Sequence, residues 1–184
     1  MCSSKGFNQV LNLELLNQAK RKKPEALKQL YNRYADACYT TAYRLSNDAP
    51  LAADICHEAF LVVIEKLDSF VGQPEQFSGW LKRIVVNKTI NRLKFENRFN
   101  DIEDDFSQTP DSLFSNQWLS SSIDLNRLLE QLPCQHRSVL WLYEIEGYGH
   151  AEIALIFNKS VSFSKVTLMR AYCALRSLAE VKND

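Results

Sequence analysis

Glycine and proline are scarce, five of each in 184 residues. A chain so poor in turn formers leans toward helices and away from a turn-rich β fold. An excess of one charge is also lacking, since 22 Lys+Arg balance 22 Asp+Glu. Net charge therefore points to no polyanionic partner, and only local patches can. The five cysteines, Cys2, Cys38, Cys56, Cys134 and Cys173, are far apart, odd in number and form no CxxC pair. They read as reduced thiols, several of them core fillers. His57, His136 and His150 have no metal-ligand spacing with one another or with cysteine, so no metal and no cofactor is expected. No apolar run reaches about 18 residues, which leaves no candidate membrane span. The start, Met-Cys-Ser-Ser-Lys-Gly, lacks the apolar core of a signal peptide, and a cytoplasmic protein is expected. A Gly-rich phosphate loop, a nucleophile elbow and an HExxH motif are all missing, so no enzymatic activity is expected.

What is present is helical periodicity interrupted once. The hydrophobic share, 46%, is enough for packed cores. Residues 8–99 read as one helical domain and 123–181 as another. Between them, 100–122 reads as a flexible acidic linker. The window from Asp101 to Asp124 holds six acids (Asp101, Glu103, Asp104, Asp105, Asp111 and Asp124), Pro110 and no Lys or Arg. The expected fold is all-α: two small helical domains on a tether.

In the first domain, Leu27, Leu30, Tyr31 and Tyr34 fall at i, i+3, i+4, i+7, an amphipathic helix. A second helix should begin with Asp48 capping free amides and Pro50 in its first turn, and run to about Leu67. Leu51, Ile55, Phe60, Val63, Ile64 and Leu67 would face the core. Asp54, Glu58 and Glu65 would share a solvent-facing stripe. An acid–base or metal pair at Asp54 and Glu58 has no partner cluster to support it. After a loop from Phe70 to Phe77, Ser78 should cap a helix from Gly79 to about Asn97. At about 100° per residue, Arg83, Asn87, Asn91, Lys94 and Arg98 fall within an arc of roughly 80° on that helix. Trp80 and Ile84 border the stripe.

In the second domain, Pro133 separates two helices and Gly147 ends the later one. A short helix Ala151–Phe157, a turn at Asn158-Lys159-Ser160 and a longer helix from Val161 make a helix-turn-helix pattern. Leu168, Ala171 and Leu175 set the inner face of the last helix. Lys159, Lys165, Arg170 and Arg176 follow it with no acid among them. Each basic stripe alone suits a solvated face. Two of them, flanking an acidic tether, point to nucleic acid.

In this order, five motifs resemble the extracytoplasmic-function sigma factors. Asp54-Ile-Cys-His-Glu58-Ala-Phe60 followed by Leu67-Asp-Ser-Phe70-Val-Gly72 looks like the family's second conserved region. Phe77-Ser-Gly-Trp80-Leu81-Lys-Arg-Ile84-Val-Val-Asn87 resembles the signature leading into its promoter-melting helix. Leu129-Glu-Gln-Leu132-Pro133 and Gly147-Tyr-Gly-His-Ala-Glu152-Ile153-Ala154 resemble the fourth region, and Arg170-Ala171 with Leu175-Arg176 the end of its recognition helix. The resemblance implies a transcription initiation factor whose partners are core RNA polymerase, promoter DNA and an anti-sigma factor. It implies that Asp54, Glu58 and Glu65 meet polymerase. It implies that Trp80, Arg83, Asn87, Asn91, Lys94 and Arg98 meet the melted -10 element, with the Phe70–Phe77 loop setting which base is accepted. It further implies that Phe163, Lys165, Val166, Met169 and Arg170 meet the upstream -35 element.

The recognition helix departs from the family pattern. Ser162-Phe163-Ser164-Lys165-Val166-Thr167 stands where Gly-Thr-Val-Lys-Ser-Arg is usual. A core valine becomes Ser164, and two polar or basic DNA-facing positions become Val166 and Thr167. Phe163 then has two readings: at the DNA near the helix start, or folded inward beside Ser164. A helix-turn-helix regulator acting without polymerase, or a sigma-like interaction module, are the competing functions. The first has no use for a strand-melting helix.

Overall fold

The computed structural model describes residues 6–7, 9–99 and 122–180. The expected acidic linker lies outside the described residues, except for Ser122 at its end. The described chain forms two compact units, Met1–Arg92 and Leu93–Asp184, and the boundary cuts through a helix.

The first unit is built from helices α1 (Leu13–Lys20), α2 (Pro24–Ser46), α3 (Ala49–Lys66) and α4 (Pro74–Phe95), with a 3-10 turn at Leu67–Ser69. Local chemistry sets the ends. Asn12 accepts from the Glu14 amide and opens α1. Pro24 opens α2, and Asn47 closes it in the left-handed region at φ 55°. Asp48 accepts from the Leu51 amide at 3.0 Å and opens α3, with Pro50 in the first turn as expected. Helix α4 starts at Pro74, ahead of the expected start at Gly79. Pro74 supplies a helical φ, and Gln76 reaches back to accept from the Gln73 amide at 2.9 Å. Ser78 and Gly79 therefore sit inside the helix, not at its cap.

Tyr34, Leu45, Phe77, Leu81 and Ile90 are fully buried, and Phe77 packs against Tyr34, Phe70 and Trp80 at ring separations of 5.5–5.9 Å. Cys38 and Cys56 are free thiols buried between α2 and α3. Ile64, expected in the core, is 38% exposed. The helix period carries it past the edge of the α2 contact, whose inner row is Ile55, Ala59 and Val63.

The second unit comprises α5 (Ser122–Gln131), α6 (Cys134–Leu140), α7 (His150–Phe157) and α8 (Val161–Glu180). Pro133 separates α5 from α6 as expected. Beyond Leu140 the chain widens into one π turn over Trp141–Ile145, where the Glu146 amide bonds Trp141 O, five residues back. Gly147 at φ 75° ends it. Asn158 at φ 53° closes α7: its amide meets Leu155 O, and the Lys159 amide meets Ala154 O. Ser160 then caps α8 through the Phe163 amide at 3.1 Å. This is the expected helix-turn-helix.

Candidate nucleic-acid interface

On α4, Leu81, Val85, Val86, Thr89 and Ile90 are all fully buried. That inner face turns Arg83, Asn87 and Asn91, spaced i, i+4, i+8, outward as an exposed edge. These three of the expected stripe share one open surface. Lys94, a turn further on, is half-buried. Arg98 does not belong to the stripe, because the helix ends before it. Asn97 takes a left-handed φ of 52°, its amide meets Lys94 O, and the Arg98 amide meets Leu93 O. That is a helix-closing motif, and the 100° period does not extend through it. The Arg98 guanidinium instead pairs with Glu96 at 2.8 Å. Trp80 is half-buried, its ring 5.1 Å from Phe70 and 5.7 Å from Phe77. It supports the start of the edge more than it extends it.

The acidic face of α3 is split. Asp54 and Glu65 are exposed, as is His57. Glu58 is not on an open stripe. Its carboxylate receives Lys88 at 2.9 Å and Arg92 at 2.7 Å, both from α4. Hydrogen bonding to Lys88, helped by Arg92, holds the Glu58 carboxyl below its usual range against the effect of burial. Half-exposed pairs of this kind contribute little stability, but they link α4 to α3. Lys88 and Arg92 each follow a member of the open edge, Asn87 and Asn91, by one residue. Helical spacing gave no warning of this pairing, because it joins residues 30 and 34 apart.

On α8 the inner face carries Phe163, Ser164, Thr167, Leu168 and Ala171, all buried. Of the two readings of Phe163, the structure has the inward one: it packs on Phe157 of α7 at 5.5 Å between ring centroids. Thr167 is likewise turned inward. Ser164 sits on the inner side as its register required, and it lies 3.0 Å from His150 Nδ1. That bond satisfies a hydroxyl that is fully buried. His150 in turn stacks on Tyr143 at 4.6 Å. Burial, and then the Lys165 charge, push its imidazole below the ordinary value. The outer side of α8 presents Lys165 exposed and Val166, Met169 and Arg170 half-buried. Ser162, which is not among the expected contacts, is exposed and stands three residues before Lys165 on the same side.

The Sigma-70 region 2 family profile matches residues 30–99, and the Sigma-70, region 4 profile matches residues 122–175. The chain is 29% identical over 156 residues to the ECF RNA polymerase sigma factor SigE of Mycolicibacterium smegmatis, a match covering 80% of this chain and 59% of that one. It is 28% identical over 174 residues to SigW of Bacillus subtilis, covering 88% of this chain and 92% of that one. Among solved structures, the sigma factor RpoE in complex with the anti-sigma factor NepR from Bartonella quintana matches with a TM-score of 0.54 at 23% identity, covering 84% of this chain and 96% of RpoE.

Proposed function

The chain belongs to the extracytoplasmic-function sigma factors of the sigma-70 family, and we propose on that footing that it binds core RNA polymerase and directs it to a set of promoters. The observation that carries the reading is the pairing of the region 2 and region 4 matches, in that order, with an open cation–amide edge on α4 and a helix-turn-helix ending in α8.

Work divides between the units. Arg83, Asn87 and Asn91 hold a strand whose bases have left the stack, a task for which cations and amides on one edge are suited. Lys94 stands at the far end of that row. The segment between Phe70 and the start of α4 meets a base directly. In the second unit, Ser162, Lys165, Val166, Met169 and Arg170 face the major groove of the upstream element. Lys165 and Arg170 neutralise phosphates or meet guanine edges, while Val166 and Met169 pack on thymine methyls. The chain contributes binding and positioning, not bond chemistry of its own. Its site of action is the cytoplasm, where polymerase works. Among the described residues no helix is long and apolar enough to cross a membrane. An anti-sigma factor, the kind of partner seen with RpoE, is proposed as the protein that silences it.

Asp54 and Glu65 are the proposed polymerase contacts on α3, with Glu58 committed to α4. Reversing both Asp54 and Glu65 to Lys should weaken core binding about tenfold or more, since interface charge pairs are worth one to several kcal/mol. Glu58→Gln should leave core binding near wild type. Pull-down titration of core polymerase decides it. Equal binding by the double reversal would remove α3 from the interface. The function as a whole is tested by reconstitution: core polymerase with and without the protein, on a promoter library, with transcript 5′ ends sequenced. Starts that appear only with the protein and share a sequence support the proposal. Identical start profiles would overturn it.

A further inference from the structure

The stretch from Leu67 to Gln73 joins α3 to α4 and is held from several sides. Leu67 and Phe70 are buried. Phe70 meets Phe77 edge-on at 5.9 Å and Trp80 at 5.1 Å. A β-carbon on Gly72 would come within 2.6 Å of the Phe70 ring and 2.9 Å of Gln76 Oε1, so only glycine fits that close approach. Gln76 Oε1 accepts from the Gln73 amide. The remaining support comes from a distant helix. Lys20, at the end of α1, donates to Phe70 O at 2.6 Å across 50 residues, and its ammonium lies 5.7 Å from the centre of the same ring. Lys22 adds an exposed pair with Asp68 at 3.6 Å. Within this braced stretch Val71 is 94% exposed. A valine left standing in water on a fixed backbone has no role in the core.

We propose that Lys20 is a positioning residue for promoter reading: by holding the Phe70 carbonyl, it fixes the backbone that presents Val71 to an unstacked base of the melted strand. The inference rests on the proposed initiation function and extends it to α1, which lies before the residues matched by the region 2 profile. The physical logic is preorganisation. A loop that must choose among bases discriminates only if its shape is set before the base arrives. One charged donor on one carbonyl, backed by the ring beneath it, sets that shape. The exposed Lys22–Asp68 pair is a weak second strut.

The experiment is a promoter series carrying each of the four bases at each position of the melted element, transcribed by core polymerase with the full chain. Lys20→Met keeps the apolar stem and loses the donor. It should reduce the discrimination at one position about tenfold, the scale of one charged hydrogen bond, and leave the other positions, core binding and the melting temperature near wild type. Lys20→Arg, which retains a donor, should restore most of the preference. Val71→Ala, at an exposed position, should disturb the same position, and the double variant should do no more than either single change. A loss spread evenly over all promoters, effects of the two variants at different positions, or an unchanged preference would each overturn the assignment. Failure of the wild-type chain to direct any initiation would instead overturn the function on which it rests.

Discussion

Phe163→Ala is expected to destabilise the second unit by about 3–5 kcal/mol, the usual range for deleting a buried aromatic ring. Phe163 is 7% exposed and packs against Phe157, the residue that ends α7. It therefore ties the two helices of the helix-turn-helix together at their turn. A small helical unit has a small core and a stability of only several kcal/mol, so the loss should leave most molecules unfolded there at 37 °C. Phe163→Leu keeps most of the apolar volume and should cost far less. Thermal melting of the full chain without DNA, followed by circular dichroism, reads this directly. The alanine variant should lose the second unit's transition, and the leucine variant should retain it. If Phe163→Ala melts like wild type and loses only DNA affinity, the ring is a DNA contact after all.

Replacing Arg83, Asn87 and Asn91 together by alanine should reduce heparin-resistant promoter complexes about 100-fold, with core binding and melting temperature nearly unchanged. Three contacts worth about 1 kcal/mol each give that factor. All three side chains are exposed on one edge of α4, so their removal opens no cavity. Their neighbours Lys88 and Arg92 hold Glu58 and should keep the helix in place. A solvated stripe without a ligand would give no loss of stable complexes. A fall matched by weaker core binding would move these residues to the polymerase interface.

Much of this organisation was legible in the sequence because it is written in short-range chemistry. The Asp48 cap, Pro133 and Gly147 each act within one helical turn, and each sits where its local pattern placed it. The inner face of α8 was expected from Leu168, Ala171 and Leu175; Leu168 and Ala171 are buried and Leu175 half-buried, and the same register put Ser164 on the inner side. What was not legible depends on distance in the chain. Glu58 looked solvent-facing because its cations come from another helix. Phe163 reads from the helix register as a contact near the start of α8, with the inward fold as the competing reading, and only Phe157 packed against it decides for the latter. Arg98 kept the helix period on paper, although Asn97 had already turned the backbone. The start of α4 was misplaced because a serine before an apolar run is a common cap, while the Pro74 and Gln76 pair that serves here is less conspicuous. Lys20 carried no signal at all, since its partner is a backbone carbonyl 50 residues away.

The most direct test of the central claim, that the α4 edge of this sigma factor holds promoter DNA open, is permanganate reactivity of thymines at a promoter found by reconstitution. Core polymerase with the wild-type chain should make thymines just upstream of the start site reactive, while core alone should not. Core with the Arg83, Asn87 and Asn91 triple alanine variant should leave them protected even at concentrations that saturate core binding. Unreactive thymines with the wild-type chain, or equal reactivity with the triple variant, would contradict the account.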